Sequence, residues 1–165
     1  MPEQVHVGLL VAATRRRIKQ AVSALVNDKA LSPQQFWTLV VVAEEQGLSL
    51  KAMAQQRRMD EPTASRLTFT LTDRGLLRAS VDPADRRALR LTLTPRGRAL
   101  ARRLLPMADD IRKAVDGCLT PQERTAVVSG LHKIIASLDR LEEKYRVRPL
   151  QSAGRKSSRG PARSS

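Results

Sequence analysis

Between Leu48 and Arg103 the apolar spacing changes period twice, and this constrains the fold more than any other feature of the chain. Ser49 caps a short helix, Leu50–Arg57. A tight turn follows, and Asp60 caps a second helix, D-E-P-T-A-S-R-L-T-F-T-L-T-D-R, that runs to about Arg74 and stops at Gly75. Strand spacing then takes over. Leu89, Leu91 and Leu93 alternate with Arg90 and Thr92, which predicts a hairpin over Leu76–Leu93 with the tip V-D-P-A-D-R-R. Helical spacing resumes at Thr94-Pro95.

Helix, turn, helix and hairpin in this order read as a winged helix-turn-helix, which sets one helix into the DNA major groove. The charge follows the same boundaries. Residues 48–103 hold 13 Lys/Arg and 5 Asp/Glu, a net of +8; residues 1–47 net +1, residues 104–146 net zero and residues 147–165 net +5. The formal charge of +14 thus sits in the reader and the tail, and a polyanion such as double-stranded DNA is the simplest partner.

Helices flank the reader. Residues 5–28 read as one, with Val7, Val11, Ile18, Val22 and Leu25 in an apolar stripe. Ser32, Pro33 and Gln35 form a capping box with Pro at the first position, and the helix continues to Gln46 before Gly47. A long helix runs from Thr94-Pro95 to about Gly117, with a kink expected at Pro106. Thr120-Pro121-Gln122-Glu123 opens a last helix to Tyr145, with Val127, Leu131, Ile134, Ile135, Leu138 and Leu141 on its apolar face. Residues 147–165 carry Ser, Gly, Pro and Arg without periodicity and read as a disordered basic tail. The fold class is mainly α with a small β-hairpin wing. The expected organisation is one domain over 1–146 with its winged module at about 32–100.

Composition narrows the function. Aromatics are only 2%, so the core is built from Leu, Val, Ala and Ile, and base-stacking on a single-strand platform is disfavoured. No apolar run reaches membrane-spanning length, and the N-terminus lacks a secretory pattern. A single cysteine, Cys118, permits no intrachain disulfide and fits a reducing cytoplasm. His6, His132 and Cys118 are too few and scattered for a metal site, no cofactor is implied, and no nucleophile–base pair or phosphate loop marks an enzyme.

The candidate DNA contacts follow from local chemistry. Free N–H groups and the helix dipole favour phosphate and bases at the start of the second reader helix, where Thr63 and Ser65 offer short donors. Arg66 can pair bidentately with guanine O6 and N7, unless a nearby acid takes it. Arg57 and Arg58, in the preceding turn, suit backbone phosphates or simply solvent. Arg86 and Arg87 at the hairpin tip are placed for a narrow A·T-rich minor groove. Asp82 and Asp85 would oppose DNA if free, so they are expected to pair with those arginines and shape the wing.

The segments L-S-P-Q-Q-F (31–36), D-E-P-T-A-S-R (60–66), D-R-G-L-L (73–77), D-P-A-D-R-R-A (82–88) and L-T-P-R-G (93–97) resemble the MarR (multiple antibiotic resistance regulator) transcription factors. With matching flanking helices the resemblance covers about 145 of 165 residues. It implies a homodimer whose body is made by the helices at 5–28, 95–117 and 121–145, each winged module reading half of a pseudo-palindromic operator. It also implies Arg87 in the minor groove, with Arg86 on phosphate. Relatives often bind a small aromatic or anionic effector between body and module; Val11, Arg15, Phe36, Trp37 and Val40 are the matching candidates, with Phe36 and Trp37 equally readable as core. Some relatives sense peroxide through a cysteine, but nothing around Cys118 argues for a reactive thiol rather than a small buried side chain. One departure is visible: Thr68, Phe69, Thr70 and Thr72 stand where relatives often carry aliphatic and charged residues. The expected function is a DNA-binding repressor relieved by a small molecule. Its alternatives are a non-specific architectural binder and a winged-helix module for protein partners.

Overall fold

Helix α2 (Pro33–Glu44) is the hub of the first unit, buried nearly all round at Phe36, Thr38, Leu39, Val40 and Val42. Its start is the expected capping box: the Ser32 hydroxyl accepts from Gln35 N at 3.2 Å, and Gln35 Oε1 accepts from Ser32 N at 2.9 Å. The computed structural model describes residues 6–146, so the predicted tail at 147–165 lies outside the described residues. These fall into two units divided after Cys118.

In the first unit, α1 (Val7–Val26) ends in a single 3-10 turn, Asn27–Lys29, before α2. β1 (Leu48–Ser49), α3 (Leu50–Gln56) and α4 (Glu61–Asp73) follow, then β2 (Leu77–Val81), β3 (Leu89–Leu93) and α5 (Pro95–Asp116). The sheet is antiparallel in the order β1-β3-β2, with Leu77 opposite Leu93, Val81 opposite Leu89 and Leu48 opposite Leu91. β1 escaped sequence reading because two residues show no alternation; its pairing with β3 is wholly non-local. α2 touches α1, α3, α4, α5 and β3, and the core joins Val22, Val26, Phe36, Leu39, Met53, Leu71, Leu77, Leu91 and Leu104.

The wing is anchored to α5 by tight contacts. The Thr94 hydroxyl caps Gly97 N at 3.0 Å and donates to Gly75 O at 2.6 Å. A Cβ at Gly97 would stand 1.9 Å from Leu76 O, so only glycine lets α5 start this close to β2. α5 continues through Pro106 to Asp116. The expected stripe on α1 is only partly interior: Val22 is buried and Ile18 half-buried, but Val7, Val11 and Leu25 are exposed. Leu89, at the outer end of β3, is also exposed, while Leu91 and Leu93 are buried.

The second unit contains α6 (Pro121–Arg146). Its capping box forms as expected: Thr120 N donates to Glu123 Oε2 at 2.8 Å and Glu123 N to Thr120 Oγ1 at 3.3 Å. Along this helix Val127, Ile134, Leu138 and Leu141 are exposed. Among the described residues, no helix is long and apolar enough to cross a membrane.

Candidate nucleic-acid interface

The turn before α4 is built by backbone conformation. Arg58 takes a left-handed φ of 46°, and Met59 N bonds to Ala54 O at 3.0 Å, which swings the chain into the Asp60 cap. Asp60 Oδ1 accepts from Thr63 N at 2.7 Å. That amide and the Thr63 hydroxyl hold the Asp60 carboxyl below the usual carboxylate range. Thr63 therefore gives its backbone amide to the cap. Ser65 and Arg66 are exposed, and the Arg66 guanidinium has no ion pair among the described residues. Ala64, Leu67, Thr68 and Leu71 hold the opposite face of α4 in the core.

The wing is shaped differently from expectation. Asp82 Oδ1 accepts from Ala84 N at 2.8 Å, and Asp85 Oδ1 accepts from Arg87 N at 3.0 Å. Both aspartates therefore fold the loop through backbone amides. The side-chain partner of Asp82 is Arg90, at 3.5 Å, and not Arg86 or Arg87. Arg90 Nε also donates to Gly47 O at 3.2 Å, tying the wing to the loop before β1. Glycine suits that position because its φ is +80°, a conformation that residues with a Cβ rarely adopt. Arg86 and Arg87 remain exposed at the tip.

Arg57 is not a plain surface cation. It is half-buried, its guanidinium carbon lies 5.8 Å from the centre of the Trp37 ring, and burial pushes its pKa down. Its buried Nε has no hydrogen-bond partner among the described residues. Arg112 of α5 lies over the same ring at 5.8 Å, held bidentately by Glu44 at 2.6 and 2.9 Å. That ion pair raises the Arg112 pKa. Nothing in the sequence pattern pairs residues so far apart, and Arg112 was missed.

A cleft of about 690 Å³ opens beside Arg57. Arg15, Ile18 and Lys19 line it from α1, Trp37 from α2, and Arg57, Arg58 and Met59 from the turn. Among the described residues that line it, four are cationic and none is acidic. Of the effector candidates, Arg15 and Trp37 line this cleft. Phe36 and Val40 do not: both are fully buried, because the side of α2 that carries them faces the core. Phe36 meets Trp37 edge-on, with ring centres 5.0 Å apart. Val11 lies higher on α1 and is exposed, away from the lining. Cys118 is exposed, not buried, with Sγ 3.2 Å from Val115 O.

A sequence model of the MarR family matches residues 31–88, from the α2 cap to the wing tip. The HTH-type transcriptional repressor NicR of Pseudomonas putida is 31% identical over 126 residues, which span 74% of this chain and 80% of NicR. The chain belongs to the MarR family. Among solved MarR-type structures, that of BpsR from Bordetella bronchiseptica, whose DNA binding is regulated by 6-hydroxynicotinic acid, aligns with a TM-score of 0.66. It is 33% identical and covers 81% of this chain and 97% of BpsR. MepR of S. aureus in complex with DNA aligns at 0.71 over 82% of this chain and 99% of its own; at 23% identity it speaks for the fold. This MarR-family chain is accordingly a DNA-binding transcriptional regulator of winged-helix fold, and its relatives are regulators and not enzymes.

Proposed function

We propose that this regulator is a cytoplasmic, nucleoid-associated homodimeric repressor that grips a pseudo-palindromic operator and releases it when a small aromatic anion enters the Arg57–Trp37 cleft. Ser65 and Arg66 of α4 face the major groove, Arg58 and Arg86 lie on the phosphate backbone, and Arg87 reaches the flanking minor groove. α1, α5 and α6 form the dimer body, so that residues 1–146 act as one functional domain. The basic tail adds sequence-blind affinity.

The observation that carries the effector half is Arg57. It lines the cleft, is partly desolvated, and has an N–H without a partner. A carboxylate or phenolate there supplies the missing countercharge. The aromatic part fits the indole, and the cleft volume is in the range of small-molecule sites, about 300–1,000 Å³. Arg57 is also the residue before Arg58 and three before the α4 cap, so drawing it toward the cleft moves the turn that aims α4. The regulation of BpsR by 6-hydroxynicotinic acid supports a ligand of this kind.

The test uses Trp37, which is the sole tryptophan of the chain. Titration with 6-hydroxynicotinate should change its fluorescence and release labelled operator over the same concentration range, while the neutral carboxamide should do neither. Operator release without a fluorescence change would place the effector elsewhere. Failure to prefer any DNA sequence would overturn the operator reading itself.

A further inference from the structure

We propose that Phe69 reads thymine, by packing its ring against the 5-methyl group in the major groove; the inference rests on the operator reading above. Phe69 is 73% exposed in the middle of α4, on the face opposite the buried Ala64, Leu67, Thr68 and Leu71. Helical spacing puts it on one side with Ser65, Arg66 and Thr72. Among the described residues its ring joins no aromatic pair and no part of the hydrophobic core.

The neighbours decide what an exposed ring of this kind is for. A protein partner calls for a contiguous apolar patch, whereas Phe69 is a single ring flanked by exposed Thr70, Thr72, Ser65 and Arg66. The major groove has the matching texture. Its floor is a row of hydrogen-bonding edges, and among the four bases only thymine interrupts them with an apolar group. Hydroxyls and a guanidinium suit the polar edges, and the ring suits the methyl. Phe69 lies three residues from Arg66, about 4.5 Å along the helix axis. A base-pair step is about 3.4 Å. The thymine is therefore expected within two base pairs of the base that Arg66 contacts.

The experiment begins with selection of bound sites from random DNA by the full chain. Each thymine of the selected half-site is then replaced by deoxyuridine, which keeps the pairing and removes only the methyl. Wild type is expected to bind about fourfold more weakly when the contacted methyl is removed, the size expected for one buried apolar carbon. Phe69→Ala should bind the thymine and uracil sites equally, and Phe69→Leu should keep part of the difference. An unchanged melting temperature shows that the exposed substitution leaves the fold intact. Equal binding of thymine and uracil sites by wild type overturns the proposal. So does a Phe69→Ala variant that keeps the full ratio, or one that weakens on both sites while wild type shows no ratio, since the ring would then rest on sugar or phosphate. If selection returns no preferred sequence, the operator reading fails first and this proposal falls with it, an outcome distinct from the other two.

Discussion

Helices α1 and α4 both expose apolar side chains, and they do so in opposite ways. α1 presents Val7, Leu10 and Val11 at three-four spacing, with Leu9 beside them. α4 presents one ring, Phe69, among hydroxyls and a guanidinium. The first pattern is a surface awaiting another apolar surface; the second is a lone probe in a polar field. The lesson is that the extent and the neighbours of exposed apolar area distinguish a protein partner from a groove. α6, taken by itself, repeats the α1 pattern at Ile134, Leu138, Leu141 and Tyr145.

The largest effect should come from breaking the α1 pattern. Leu10→Asp combined with Leu138→Asp should give a folded monomer by sedimentation at micromolar concentration. Operator affinity should fall by about 10²- to 10⁴-fold, because two linked half-sites become two separate ones. A dimer of undiminished affinity would show that these faces serve something other than self-association.

Within the reading surface the expected effects divide by groove. Arg66→Ala should relax preference at one base pair by about 1–3 kcal/mol, the worth of a bidentate contact. Arg87→Ala should lower affinity across all operators, flatten the preference for flanking A·T pairs, and reduce the slope of log affinity against log salt by up to about 0.9. Titrations of both variants on one panel of operators at several salt concentrations separate the two behaviours. An Arg87→Ala variant indistinguishable from wild type would remove the wing from the DNA-binding surface.

Local chemistry explains what could be read in advance. Ser32 with Gln35, Thr94 with Gly97 and Thr120 with Glu123 are caps whose partners lie three residues away, so the sequence alone carries them. The reader pattern from Leu48 to Leu93 was legible for the same reason. What escaped depends on distant segments. β1 exists only because Leu48 meets Leu91. Arg57 looked like an exposed turn cation until α2 placed Trp37 beneath it. Phe36 and Val40 looked available to a ligand until α1 and α5 closed over α2. The wing aspartates were expected to take the nearest arginines; backbone amides two residues on were closer still, and Arg90 arrived from the facing strand.

The two faces of α4 can be separated by a smaller effect. Thr68 is buried, and its hydroxyl has no hydrogen-bond partner among the described residues. Thr68→Val replaces that oxygen with a methyl of similar size. It should stabilise the fold by about 1 kcal/mol, the order of cost of an unsatisfied buried hydroxyl. DNA affinity should not change, because the adjacent exposed face is untouched. Urea unfolding and operator titration measure the two quantities. A loss of stability would mean that the hydroxyl is satisfied in solution.

The smallest effect concerns the charge at the α4 cap. Two donors from Thr63 hold the Asp60 carboxyl below its ordinary range. A carboxylate whose folded pKa is depressed stabilises fully above its unfolded value, near 3.9. That contribution is lost as pH falls through the folded value. The cap is therefore intact at neutral pH and fails only in acid. Asp60→Asn keeps an acceptor for the Thr63 amide, since asparagine is an equally good cap, but has nothing to titrate. Its melting temperature at pH 7 should match wild type, and its acid-induced fall between about pH 5 and pH 3 should be shallower. Operator affinity should rise by no more than about twofold, because one screened negative charge leaves the end of the helix proposed to face DNA. An identical acid profile in the variant would mean that the Asp60 carboxyl is not held below its ordinary range. An affinity that falls would mean that Asp60 positions Arg66, whose charge it feels across the first turn.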